Sequence, residues 1–143
     1  MIYTAYFEPA DAVKLFGEFS EPPALPIAQL IDTWQSPGSL ACTLWKDKRP
    51  VACGGIINFN WYRGEAWILV SPDIKSLRVP LRKIMKQELA RMAVEGEFRR
   101  VQATCYSEEK GQFFRKLGFE YEGYLKSFGP KQENAILYSR VFQ

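Results

Sequence analysis

The chain of 143 residues contains no histidine, only three cysteines, and no apolar run of the length a membrane helix requires. Without histidine there is no Ser-His-Asp or Cys-His machinery and no side chain whose ordinary pKa lies close to neutrality. A proton taken during a reaction must therefore pass to a carboxylate, a lysine or a tyrosine. Cys42, Cys53 and Cys105 are odd in number and lack CxxC spacing, which argues against zinc fingers and disulfide scaffolds and fits free thiols in a reducing cytosol. A spanning helix needs about 18 apolar residues in succession. The N-terminus, MIYTAYFEPADAV, carries acids and a proline where a secretory signal has a basic flank and an apolar run. The expectation is a cytoplasmic chain with no metal and no membrane partner. A strong excess of one charge is also missing. With 19 basic and 16 acidic residues the net charge is +3, too mild for nucleic-acid binding by bulk electrostatics.

What is present is the composition of an ordinary globular protein, 47% apolar and 15% aromatic, and its length predicts one domain over residues 1–143. Ile2 to Tyr6 reads as a strand, and Glu8, Pro9 and Asp11 as the entry to a helix running to about Gly17. The prolines of EPPALP (Glu21 to Pro26) make an irregular loop placed to shape a substrate mouth, before a short helix from about Ile27 to Trp34. Leu40 to Trp45, the turn KDKRP and Val51 to Asn58 form a hairpin, in which Gly54-Gly55 marks a bulge or a close backbone approach. Glu65 to Val70 is nearly continuous in apolar residues, as a strand covered on both faces would be.

The strongest helix pattern runs from Pro80 to about Val94, with Leu81, Ile84, Met85, Leu89, Met92 and Ala93 at three- and four-residue spacing. Arg100 to Cys105 follows as a strand. Ser107 is an N-cap with Glu108 and Glu109 in the first turn of another helix, which Gly118 ends. Phe119 to Leu125 and Ala135 to Phe142 close the chain as strands. The order β, α, α, β, β, β, α, β, α, β, β predicts a mixed sheet with helices on its faces.

In that arrangement the turn between Val70 and the helix near Pro80 is the natural anion site, since a helix N-terminus presents unpaired N–H groups and a partial positive charge. Lys75, Arg78, Arg82 and Lys83 surround it. The same residues also read as a solvated basic face.

The strand from Glu65 to Val70 followed by SPD, a basic loop and a long amphipathic helix, then a strand ending ATCYS, then FFRKLGFEYEG and AILYSRVF, resembles the GCN5-related N-acetyltransferase (GNAT) family over most of the chain. FRKLGFEYEGYLK with AILYSRV is similar to the terminal segment of the ribosomal-protein N-acetyltransferase branch. A shorter likeness, in strand and basic helix, is to small internal virion proteins of tailed phages. The resemblance implies an α/β (α+β) fold with a mixed, mostly antiparallel sheet of about six to seven strands and helices on both faces. It implies transfer of an acetyl group from acetyl-CoA, as co-substrate, to an amine of a protein or small molecule. A homodimer stays open.

By the same resemblance Glu65 is the candidate base, and the backbone of Ile68, Leu69 and Val70 is the rail that holds the cofactor and supplies an oxyanion donor. Lys75, Ser76, Arg78, Leu81 and Arg82 form the phosphate grip, and Ser107 stands where an asparagine contacts the cofactor, unless it is only the helix cap. Two positions depart from the family pattern. Arg78 and Pro80 fall on the loop's two glycine positions, adding a side chain and deleting an N–H. Phe114 falls on the frequent general-acid tyrosine, which leaves Tyr106 as the substitute acid or as a packing residue. These losses define the alternative reading, a catalytically inactive binding or virion-associated phage protein.

Overall fold

The computed structural model describes residues 1–16, 27–60, 62–71 and 78–142. Its elements are β1 (Ile2–Tyr6), α1 (Pro9–Phe16), α2 (Ile27–Trp34), β2 (Leu40–Lys46), β3 (Arg49–Asn60), β4 (Arg63–Val70), α3 (Arg78–Glu95), β5 (Arg100–Cys105), α4 (Glu108–Lys116), β6 (Glu120–Leu125) and β7 (Ala135–Val141). Element types and order agree with the sequence pattern; the boundaries differ. The KDKRP turn is tighter than its composition suggests. Asp47 takes a left-handed conformation (φ 57°), and β3 starts at Arg49, with Pro50 accommodated beside a bulge at Leu44/Trp45. The EPPALP loop and Trp61 lie outside the described residues.

The seven strands form one sheet in the order β1-β2-β3-β4-β5-β7-β6. The first four strands of that order (β1-β2-β3-β4) are joined antiparallel, as are the last three (β5-β7-β6), and the two groups meet at a parallel junction between β4 and β5. The crossover that makes this junction parallel is α3.

Each face buries its own core. On one side Ala12 and Leu15 of α1 and Ile31 and Trp34 of α2 pack on Cys53, Ile57, Trp67 and Leu69. On the other, Leu81, Met85, Leu89, Met92 and Ala93 of α3, with Phe114 of α4 and the following Leu117, cover Leu44, Ala52, Ile56, Val101 and Ala103. Strand β4 contributes to both cores, Trp67 and Leu69 to the first, Ala66, Ile68 and Val70 to the second. This is the two-sided burial that its apolar run predicts.

Gly54 and Gly55 make a close approach and no bulge. A Cβ at Gly55 would overlap the carbonyl oxygen of Leu40, and one at Gly54 would lie 2.8 Å from that of Trp67. The entry of α1 is fixed by Asp11. Its Oδ2 accepts from the Glu8 N–H (3.0 Å) and from the Thr43 hydroxyl of β2 (2.7 Å), which ties the helix to the sheet through a buried carboxylate.

Candidate active site

Strands β4 and β5 pair over Arg63↔Arg100, Gly64↔Val101 and Glu65↔Gln102, and no further. Beyond that point β4 stays with β3 as far as Val70↔Ala52, and β5 stays with β7 as far as Cys105↔Ile136. The sheet forks after Glu65. The Ser71 N–H donates to the Val51 carbonyl (2.9 Å), which sets the phase of the antiparallel ladder. Residues 65, 67 and 69 direct their backbone groups to β3, so Ile68 and Val70 direct theirs into the fork. Leu69 differs from its sequence expectation here: its N–H turns to β3, and its side chain packs with α1 and α2.

Glu65 stands at the crotch of the fork, half-buried, its Oε1 accepting from the Thr104 hydroxyl of β5 at 3.2 Å. Burial raises its pKa above the ordinary carboxylate range, and the Thr104 bond opposes that rise. Tyr106, just past the end of β5, is exposed; its phenol is pushed up by burial and then by the charges of Glu133 and Glu65. It therefore keeps its proton at neutral pH.

Ser107 caps α4. Its Oγ accepts from the Lys110 N–H at 3.3 Å, and its carbonyl takes the Gly111 N–H. Gly118 ends the helix in the left-handed region (φ 96°) that a C-terminal glycine favours. Phe114 is buried, with Phe113, Phe119 and Tyr138 around its ring. No hydroxyl stands at that position.

Of the expected phosphate grip, Lys75 and Ser76 lie outside the described residues. Arg78 opens α3, Arg82 is half-buried in its second turn, and Leu81 is a core residue (2% exposed), so its side chain is not available to a ligand. Because α3 begins at Arg78, Pro80 occupies its first turn. The donors left there are the N–H groups of Arg78 and Val79.

Other features carry no obvious sequence signal. Trp34 and Trp67 stack at 3.9 Å with an interplanar angle of 7°, and Phe7 meets both rings edge-on. The indole nitrogen of Trp67 is buried with no hydrogen-bond partner among the described residues, at a cost of about 1–3 kcal/mol. Composition marks these tryptophans as core; it does not mark them as stacked on each other, or Trp67 as sharing a strand face with Glu65. Gly111 lies against Tyr138, whose hydroxyl a Cβ there would overlap.

The three cysteines are buried and free. Burial raises the Cys42 thiol to about 11 and pushes Cys53 and Cys105 up as well, so none supplies a thiolate near neutral pH. Among the described residues no cluster of three or more acids and cysteines could hold a metal, and no helix is long and apolar enough to cross a membrane.

No family model matches the chain, and no curated protein matches its sequence. Solved structures do match in shape. Ard1 from Thermoplasma volcanium superimposes with a TM-score of 0.83 at 13% identity, covering 99% of this chain and 98% of its own. An acetyltransferase of the GNAT family from Streptococcus pneumoniae gives 0.74 at 15% identity, with both chains covered over 100%. Salmonella typhimurium yncA, solved with its cofactor acetyl-CoA, gives 0.76 at 10% identity and covers 99% of this chain and 94% of its own. The chain has the fold of the GNAT acetyltransferases.

Proposed function

We propose that the chain is an N-acetyltransferase that moves an acetyl group from acetyl-CoA to an amine of a protein or small molecule. The observation that supports this reading best is the fork itself. Two neighbouring strands part beside a half-buried carboxylate, and the backbone of Ile68 and Val70 turns into the space between them.

Catalysis then follows from what each residue offers. A lysine-like amine with a pKa of about 10.4 is mostly protonated at neutral pH and must lose a proton to attack. Glu65 receives it, directly or through one water. The amine nitrogen bonds to the thioester carbon while an Ile68 or Val70 N–H holds the oxygen that becomes negative. The C–S bond then breaks, and the nitrogen, cationic after the attack, gives up its second proton, which reaches the leaving thiolate through Tyr106 or solvent. With a thiol pKa of about 8.5 this departure needs little help, so Phe114 in place of a tyrosine is no bar to turnover. Arg78, Arg82 and the first N–H groups of α3, with Lys75 and Ser76, hold the diphosphate. Ser107 lies near the cofactor through its backbone, its side chain being taken by the cap.

The buried Phe114 and the proline in the first turn of α3 favour the second reading, a non-catalytic binding protein with the same fold. The melting temperature with and without acetyl-CoA separates the two, because a ligand at 100 times its Kd stabilises by about 2.7 kcal/mol. A clear rise supports cofactor binding. No rise at millimolar acetyl-CoA rejects the transferase.

A further inference from the structure

Trp67 follows Glu65 by two residues on β4, so the two side chains leave the same face of the strand about 7 Å apart. Glu65 has a partner in Thr104; the Trp67 indole N–H, fully buried, has none among the described residues. Buried polar groups in folded proteins almost always find a partner, and an exception calls for a reason. Packing supplies none, since a phenylalanine would stack on Trp34 without bringing a donor. The ring of Phe7, at a steep angle to Trp67 with centroids 5.5 Å apart, brings no oxygen or nitrogen acceptor. The unmet need is therefore for an oxygen, on the same strand face as the carboxylate that receives the acceptor's proton.

We infer that Trp67 is a specificity-determining residue, its N–H reserved for an oxygen of the acceptor. The acceptor is then an amine that carries a carbonyl or carboxylate oxygen close to the nitrogen, as an amino acid or the amino terminus of a peptide does. Plain alkylamines and polyamines, which bring no such oxygen, leave the donor orphaned and are poorer substrates. This assignment rests on the acetyl-transfer reading above.

The test uses the intact chain labelled with 15N. Its four tryptophans give four indole N–H signals, and Trp67→Phe identifies one of them; if that variant does not fold, single Phe substitutions of Trp34, Trp45 and Trp61 identify it by elimination. Glycinamide, alanyl-glycine and 1,4-diaminobutane are titrated in turn with CoA present. The two oxygen-bearing amines are expected to move the Trp67 signal downfield and slow its hydrogen exchange, and the diamine to leave it in place. In turnover, Trp67→Phe is expected to raise KM for glycinamide about tenfold and leave that for the diamine unchanged. A Trp67 signal that ignores both oxygen-bearing amines, or answers the diamine equally, overturns the inference. Failure of the underlying reading looks different: acetyl-CoA then leaves the melting temperature unmoved.

Discussion

Thr104 donates its hydroxyl to Oε1 of Glu65 at 3.2 Å, joining two strands at the place where they stop pairing. The bond stabilises the ionised carboxylate, while burial acts against it with the larger effect. A base must be ionised to work, so turnover should rise with pH through the raised pKa of Glu65. Thr104→Val removes the one opposing interaction and should move that limb of the pH–rate profile to higher pH. Glu65→Gln should cut kcat about 10²-fold or more and leave the thermal shift with acetyl-CoA intact. Unchanged turnover in Glu65→Gln would remove this residue from the mechanism.

The same raised pKa makes a stability prediction with a definite sign. Between the unfolded and folded pKa values the native state binds more protons than the unfolded one, so stability falls as pH rises through that window. Above the folded pKa the cost of burying the charge is fully present. Glu65→Gln should therefore melt higher than the parent at pH 7. The advantage should disappear below the ordinary carboxylate range, where Glu65 is protonated in both states. Melting curves from pH 3 to pH 8 check this, and a variant less stable at pH 7 contradicts it.

Pro80 lies in the first turn of α3, where its missing N–H is one fewer donor for an anion. Pro80→Ala restores a donor and should tighten acetyl-CoA binding about two- to tenfold, the worth of one net hydrogen bond at 0.5–1.5 kcal/mol. Calorimetric titration measures it. An unchanged or weaker Kd would mean that the diphosphate is held elsewhere.

Much of this arrangement is legible before any coordinates. The spacing of Leu81, Met85, Leu89 and Met92 marks the buried stripe of α3, and Ser107 and Gly118 bracket α4, because periodicity and caps are local properties of the chain. Strand order is not local. That β5 inserts beside β4 and parts from it after Glu65 depends on contacts across the whole chain, so no window of sequence contains it. The ladder phase that turns Leu69 away from the fork and Ile68 toward it is likewise a matter of register with β3. The stack of Trp34 on Trp67 joins residues from α2 and β4, and composition alone gives each the same reading as any buried tryptophan. Asp11 carried a helix-entry signal, while its partner Thr43 carried none.

That partnership sets the next expectation. Both side chains are buried, and Thr43 Oγ1 reaches Asp11 Oδ2 at 2.7 Å. A hydrogen bond to a charged group contributes about 1.5–3 kcal/mol. Thr43→Val, nearly equal in shape, should lower unfolding free energy in urea by about that amount, and Asp11→Ala by more, since it also frees the Glu8 N–H. The double variant should lose less than the sum, because the two share one interaction. Strict additivity would show that the contact contributes nothing.

Two glycines separate steric need from chance. Replacing a strand glycine by alanine ordinarily gains about 0.5–1 kcal/mol through reduced backbone freedom. At Gly123 nothing lies within 4 Å of the added Cβ, so Gly123→Ala should be neutral or mildly stabilising. At Gly55 the added Cβ overlaps the carbonyl oxygen of Leu40 and comes within 2.9 Å of the Ala41 Cα. Both are backbone atoms, so no side-chain rotation relieves the clash and β2 must move from β3. The cost of such overpacking, about 1–3 kcal/mol, exceeds the gain, and Gly55→Ala should be destabilised. Gly55 is also the register partner of Trp67 on β4, so the displacement should reach the Trp34–Trp67 stack and change its tryptophan fluorescence. Equal stability of the two alanine variants would show that β2 and β3 are not held as closely as the geometry requires.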